Sequence, residues 1–263
     1  RLNKIDFRAK SILCEGKKDK SFGFEDFEIF GLASYGQIYD LAVDPIEGTT
    51  PTVFSGPEAI STMAIAEQDS LIRLDCFYVN KLAYGKTIKD KVELYIDDPI
   101  EDTCKKISTA TGKPLSQIMV CILNRPRHQT VIEKLRTIGV RIKLIQDCDV
   151  SGAVATCLPD SGVDLLYGVG GAPEAVISAA AIKCLGGDFQ VKIIEQDNNW
   201  NSVGNVLGIK DLVKGSCAFI ASGITNGSML KGVRFTERGP ITNSVFMRSE
   251  SGTIRWLTTE HGN

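Results

Sequence analysis

Two histidines in 263 residues is a small supply of imidazole, and one of them, His261, stands near the end of the chain. A Ser-His-Asp triad has little to draw on, and no G-x-S-x-G elbow occurs. The G-x-x-x-x-G-K-[ST] phosphate loop is missing as well. No C-x-x-C pair is found among the eight cysteines, which argues against a zinc site or a dithiol motif. Cys121 lies inside Ile118-Met119-Val120-Cys121-Ile122-Leu123, and Cys184 and Cys217 have similarly apolar neighbours. Free thiols behave there as small buried hydrophobes, so a reducing compartment is expected. Neither sign of charge dominates: 30 Lys and Arg face 32 Asp and Glu, for a net charge of −2. That leaves no electrostatic footprint for nucleic acid or an acidic membrane. No apolar run approaches the ~20 residues of a spanning helix. Phe22, Phe24, Phe27 and Phe30 crowd one stretch without interleaved basic residues, which reads as packing and not as a stacking platform. The first residue is Arg1, so the N-terminal segment is expected to be missing and no leader can be read. A cytoplasmic location is expected, an organelle lumen being the alternative.

What is present is enough apolar sequence, 43% of residues, for a large core. Short strands are expected at Ser11–Leu13, Ile38–Val43, Ala59–Glu67 and Leu71–Tyr78, the last two joined through Gln68-Asp69-Ser70. A helix is expected at Glu101–Thr111, stopped by Gly112. From there strands and helices alternate: strand 118–123, helix 129–138, strand 141–145, helix 150–158, strand 163–167 and helix 174–185. Gly186-Gly187 closes the last. Such alternation argues for βαβ units in an α/β sandwich. A hairpin is expected near the end, with strands 244–248 and 253–258 around Glu250-Ser251-Gly252, while Asn226-Gly227-Ser228 reads as a turn. There are no repeats and no low-complexity linker. We expect a metal-binding α+β half over 1–110 and an α/β substrate-binding half over 111–263, packed as one globular unit.

The chemistry is expected to centre on Asp44-Pro45-Ile46-Glu47-Gly48-Thr49-Thr50. Pro45 is expected to stop the preceding strand, and Gly48 permits a sharp turn. Two carboxylates and a hydroxyl then fall in one small volume, which suits a hard cation such as Mg²⁺. The plainer reading is an acidic turn that merely ends a strand.

Three more polar stretches follow predicted strands, where ligands of open α/β sheets collect. Asn124-Arg125-Pro126-Arg127-His128 sets two arginines around a proline, suited to a phosphate, although a basic strand-to-helix turn taken alone is more often a solvated loop. Asp147-Cys148-Asp149 opens a helix. Asp149 makes a sound N-cap, and a pair of carboxylates can equally accept sugar hydroxyls. In Tyr167-Gly168-Val169-Gly170-Gly171-Ala172-Pro173-Glu174, glycines admit an anion to the backbone N–H groups, and Pro173 starts a helix whose positive end faces it. Glu174 beside such an anion makes sense only with a cation between them.

These residues resemble a known family. The turn Asp44 to Thr49 resembles the metal signature of the lithium-sensitive sugar and inositol phosphatases. The string from Tyr167 to Glu174, continued through Ala179 to Asp188, is similar to class II fructose-1,6-bisphosphatases, some of which also hydrolyse sedoheptulose 1,7-bisphosphate. The likeness extends from Leu2 to Thr258 and implies a layered α-β-α-β-α sandwich. It implies that Asp44, Glu47 and Glu174 hold one divalent metal, Mg²⁺ or Mn²⁺, and that Glu15 belongs to a second. By the same likeness Thr49, Glu47 and Glu15 take part in catalysis, with Thr49 beside the scissile phosphate. Gly48, Thr49, Tyr78, Arg125, Pro126, Arg127, Asp147, Asp149 and Gly171 contact the sugar bisphosphate, and the chain forms a homo-oligomer.

The expected activity is therefore metal-dependent removal of the 1-phosphate of fructose 1,6-bisphosphate, within gluconeogenesis or the pentose phosphate cycle. Two alternatives stand beside it. One is a catalytically impaired assembly subunit, suggested by Lys17, Lys18 and Lys20 next to Glu15. The other is an inositol monophosphatase-type enzyme, which would share the acidic turn but not need the Arg125/Arg127 loop.

Overall fold

Strand after strand in this chain alternates buried with half-buried residues, and that period of two sorts them onto sheets with one face turned inward. The computed structural model describes residues 4, 6–14, 26–33, 35–195 and 200–262. The first half contains β1 (Arg8–Cys14), β2 (Ile29–Phe30), β3 (Ile38–Glu47), α1 (Thr49–Phe54), β4 (Ile60–Glu67), β5 (Tyr78–Tyr84), α2 (Lys86–Lys89) and α3 (Ile100–Thr111). Next come β6 (Met119–Leu123), α4 (Gln129–Thr137), β7 (Arg141–Ile145), α5 (Asp149–Ala155), β8 (Leu165–Gly171) and α6 (Ala172–Leu185). The chain finishes with β9 (Asp188–Ile194), β10 (Ser202–Gly208), α7 (Ile209–Leu212), β11 (Cys217–Gly223), β12 (Arg234–Thr236), β13 (Gly239–Arg248) and β14 (Ile254–Glu260).

One sheet runs β12-β13-β11-β4-β3-β1-β2, with β14 also paired to β13; the other runs β10-β9-β5-β8-β6-β7. β1 lies parallel to β3, and β6 parallel to both β7 and β8; the remaining pairings are antiparallel. Between the sheets lie α5 and α6. Ala175 to Ile182 of α6 are all buried, so this helix is apolar around its whole circumference, as a helix packed on both sides must be. Its small side chains let Phe219 and Val245 of one sheet and Val79 and Phe189 of the other share a single core. On the far side of the six-stranded sheet, Cys104 and Ile107 of α3 and Leu135 of α4 cover Leu82, Ile118 and Val120. The layered α/β sandwich expected from the sequence is therefore what the two mixed sheets and their helices form. The outer face of the eight-stranded sheet carries its own apolar cluster around Phe30, Leu41 and Val43.

Three expectations are corrected. Pro45 does not end its strand: β3 continues to Glu47, and the register shifts between Asp44 and Glu47 where it pairs with β4. A bulge of this kind absorbs a residue that cannot donate to the ladder. Leu71–Tyr78 is not a strand; its first residue forms a single bridge with Val213. The Asp40 carboxylate accepts the N–H groups of Ser70 and Leu71 at 2.7 and 2.9 Å, and Ile72 N–H donates to Leu212 at 3.0 Å. Those bonds turn the chain out of one sheet toward the other, where β5 begins at Tyr78. The glycines at 168, 170 and 171 belong to β8 and not to a loop after it, and α6 starts at Ala172.

Candidate active site

The bulge in β3 is what brings the acidic turn together. Asp44 and Glu47 are both buried, at 3% and 5% exposure, and Gly48 follows with φ of +94° before α1 begins at Thr49. A Cβ at Gly48 would fall 2.3 Å from Cys148 Sγ, so this corner needs glycine for both its dihedral and its space. The Asp44 carboxylate accepts Ile46 N–H at 3.0 Å, and Glu47 Oε1 accepts Val150 N–H at 3.3 Å. Glu174, in the first turn of α6, is remote from them in the chain and joins them through the fold. One ligand atom from each of Asp44, Glu47 and Glu174 lies within 4.8 Å of the others.

Such crowding has an electrostatic cost. Glu47's carboxyl is pushed well above the usual carboxylate range, first by burial and then by the charges of Asp149, Glu174 and Asp44. A divalent cation among these oxygens would invert that balance. The donor set, three carboxylates and no thiolate or imidazole, fits a hard divalent cation.

Next to this cluster is a cavity of about 220 Å³, lined by Asp44, Glu47, Gly48, Thr49 and Glu174 together with Tyr78, Arg125, Arg127, Asp147, Asp149 and Gly171. All the described candidate residues except Pro126 therefore meet there. Pro126 is exposed and opens a short 3₁₀ turn through His128, which aims the flanking arginines. Glu15, with Lys17, Lys18 and Lys20, lies outside the described residues.

The two arginines are held differently. Arg125 donates from Nη2 to Asp147 Oδ1, tying the two loops together. Arg127 donates from Nε and Nη2 to the Val169 carbonyl at 3.2 and 2.7 Å. Its guanidinium also lies over the rings of Trp200, 4.8 Å from the centroid, and Tyr78, at 5.4 Å. Such stacking fixes the plane of the fork while leaving edge donors for an anion. Behind it, His128 is buried; its Nδ1 lies 2.7 Å from the Leu123 carbonyl, and Val169 N–H donates to its Nε2 at 2.8 Å. The ring is thus a neutral clamp from the end of β6 to β8, and burial lowers its pKa.

Asp149 is not the N-cap. Cys148 holds that position at φ +70°, and Asp149 is the first residue of α5. Its Oδ2 instead accepts from Lys81 Nζ at 2.7 Å. Gly170 and Gly171 leave room for these carboxylates: a Cβ on the first would fall 1.9 Å from Asp149 Oδ2, and on the second 2.0 Å from Glu174 Oε2.

Lys81 and Trp200 join the site's surroundings without being among the residues the sequence singles out. A lysine set between Val79 and the apolar Leu82-Ala83 pair was the available signal for the first. Trp200 had none, because nothing local ties it to Arg127.

The model of a family described as bacterial fructose-1,6-bisphosphatase, glpX-encoded, matches residues 1–261. A class 2 fructose-1,6-bisphosphatase of Haemophilus influenzae is 36% identical over 282 aligned residues, covering 99% of this chain and 84% of its own. Fructose-1,6-bisphosphatase 1 class 2 of Escherichia coli K12 is 33% identical, with 99% and 83% covered.

Proposed function

The chain belongs to the bacterial, glpX-encoded fructose-1,6-bisphosphatase family, and from that premise we propose that it hydrolyses the 1-phosphate of fructose 1,6-bisphosphate at the cavity between the acidic cluster and the arginine loop. The observation that carries this reading is the convergence of Asp44, Glu47 and Glu174 within 4.8 Å, lining a cavity that Arg125 and Arg127 line as well. A bisphosphate needs such polarity, with carboxylates for a metal at one end and guanidinium groups for the second phosphate at the other.

In this scheme Asp44, Glu47 and Glu174 would hold Mg²⁺ or Mn²⁺. When bound, the metal neutralises charge on the phosphoryl oxygens and acidifies water. The Thr49 hydroxyl sits by the scissile phosphate and orients the attacking water. The water oxygen bonds to phosphorus as the bond from phosphorus to the sugar O1 breaks, one proton of the water ends on O1, and the products are inorganic phosphate and fructose 6-phosphate. Arg125 and Arg127 grip the 6-phosphate, so binding energy at that end positions the reacting end. The carboxylates of Asp147 and Asp149 accept sugar hydroxyls, and Tyr78 closes the side of the cavity by stacking on Arg127. Sedoheptulose 1,7-bisphosphate has the same two-ended charge and is a second candidate substrate. A homo-oligomer and a cytoplasmic location follow the family resemblance and are tested by light scattering and cell fractionation.

A non-catalytic assembly subunit is not favoured, since the relatives are named as phosphatases and three carboxylates still converge at the cavity. Release of phosphate from fructose 1,6-bisphosphate with Mg²⁺ or Mn²⁺ is the test, comparing the chain with Glu174→Ala. We expect turnover by the parent and a loss of at least ~100-fold in the variant, the scale of removing a charge-stabilising group from a reacting centre. A folded parent that releases phosphate from inositol monophosphate but not from the bisphosphate would replace this reading.

A further inference from the structure

Lys81 does not line the cavity, belongs to no motif, and is one of the most deeply buried charged side chains in the molecule, at 1% exposure. It projects from β5, three residues beyond Tyr78, at the register position facing Gly168 of β8. Its ammonium lies 2.7 Å from Asp149 Oδ2, and the Asp149 side chain is 7% exposed. The other carboxylate oxygen, Oδ1, is buried and has no hydrogen-bond partner in the protein. Asp149 itself is part of the cavity wall. One oxygen is therefore tethered from behind, while its twin is left with unused acceptor capacity.

Fold stability gives a weak reason for this arrangement. Removing two charges from water is costly, and a buried ion pair is often matched or bettered by apolar residues of similar volume. The surroundings nevertheless make room for it: any Cβ at Gly170 would fall 1.9 Å from Asp149 Oδ2 and 3.0 Å from Lys81 Nζ. A strand position has given up its side chain to the pair. A buried carboxylate with one anchored oxygen has few orientations left, which is what recognition of a fixed hydroxyl requires.

We propose that Lys81 is a positioning residue that acts through Asp149, holding Oδ2 so that Oδ1 is presented to a hydroxyl of the sugar bisphosphate. This rests on the reading of Asp149 as a sugar-binding carboxylate.

The test is steady-state kinetics on fructose 1,6-bisphosphate with saturating Mn²⁺, for the full chain and for Lys81→Met, Asp149→Asn and the double variant. Urea unfolding and calorimetric Mn²⁺ binding accompany it. If the two residues act as a unit, each single variant raises KM by ~10-fold or more while kcat changes less than ~3-fold, and the double variant is no worse than Asp149→Asn alone. Mn²⁺ binds no more weakly to Lys81→Met than to the parent. A raised KM in Asp149→Asn with an unchanged KM in Lys81→Met overturns the role of Lys81 and leaves that of Asp149. An unchanged KM in Asp149→Asn overturns the sugar-binding reading, and this inference with it. Weakened Mn²⁺ binding in Lys81→Met, or losses that multiply in the double variant, show that Lys81 acts other than through Asp149. Should Lys81→Met fail to fold, the double variant, which carries neither buried charge, is compared with Asp149→Asn: equal KM values support the proposal and a further rise overturns it.

Discussion

At the scale of single residues, the candidate site is a matter of oxygen atoms kept closer together than water alone would allow. Glu47 carries the cost, its carboxyl raised by burial and by three neighbouring carboxylates. Gly171 shows how the space for such packing is made. Its φ of −65° suits alanine, yet a Cβ there would fall 2.0 Å from Glu174 Oε2. Gly171→Ala should therefore fold with little loss of stability and bind Mn²⁺ about 10- to 100-fold more weakly, the usual effect of disturbing a group that orients a ligand. Isothermal titration calorimetry decides it, and unaltered affinity would remove Glu174 from the ligand set. Arg127 presents the opposite case, a cation whose plane is set by Tyr78, Trp200 and the Val169 carbonyl. Arg127→Lys keeps the charge but loses the fork and the stack, so kcat/KM for the bisphosphate should fall by ~10- to 100-fold, the loss of one or two charge-assisted hydrogen bonds. The same substitution should leave hydrolysis of a monophosphate almost unchanged, because no second phosphate is there to be held.

Elements position these residues through their ends and irregularities. The bulge in β3 lets Pro45 sit within a strand and turns Asp44 and Glu47 toward one point. The register of β5 against β8 sets Tyr78 opposite Gly171. His128 fastens the turn after β6 to the backbone of β8 through Leu123 and Val169. Its pKa lies below the ordinary 6.5, mainly through burial, so the folded chain keeps the ring neutral where the unfolded chain would protonate it. The unfolded state then binds more protons as pH falls below about 6.5, and stability from this residue, whole above that pH, declines toward the lowered value. Urea midpoints at pH 7.5 and pH 5 should show a smaller pH-dependent loss for His128→Ala than for the parent. At pH 7.5 the variant should be ~1–3 kcal/mol less stable, the cost of leaving a buried amide and carbonyl unpaired. An identical pH dependence in the two proteins would rule out the clamp.

For the whole molecule, site and fold are linked, because the acidic residues come from β3 and from α6, the helix at the centre of the sandwich. A cation held between them favours the folded state alone. At 100 times its dissociation constant it should add ~2.7 kcal/mol of stability, raising the thermal midpoint by several degrees in a chain of this size. Chelation by EDTA should reverse the rise, and Glu174→Gln should largely abolish it; a midpoint indifferent to Mn²⁺ would detach the cluster from metal binding.

The candidate residues of the turn from Asp44 to Thr49, of the Arg125-Pro126-Arg127 loop and of Gly170-Gly171-Ala172-Pro173-Glu174 were legible in the sequence, since each is a run of neighbours whose residue types carry their own local geometry. The α/β alternation from strand 118–123 onward was legible for the same reason: helix and strand periods are written within ten residues. The strand expected at Leu71–Tyr78 failed because hydrogen bonds to Asp40 and Leu212, remote in the chain, claim that backbone. Lys81 against Asp149 and Trp200 over Arg127 were invisible on like grounds, 68 and 73 residues apart. By itself the sequence determined which residue types were available for the chemistry and where most of the helices and strands lie. Only the tertiary structure decided which of them meet, because which strands pair, and in what register, depends on the packing of all the layers at once.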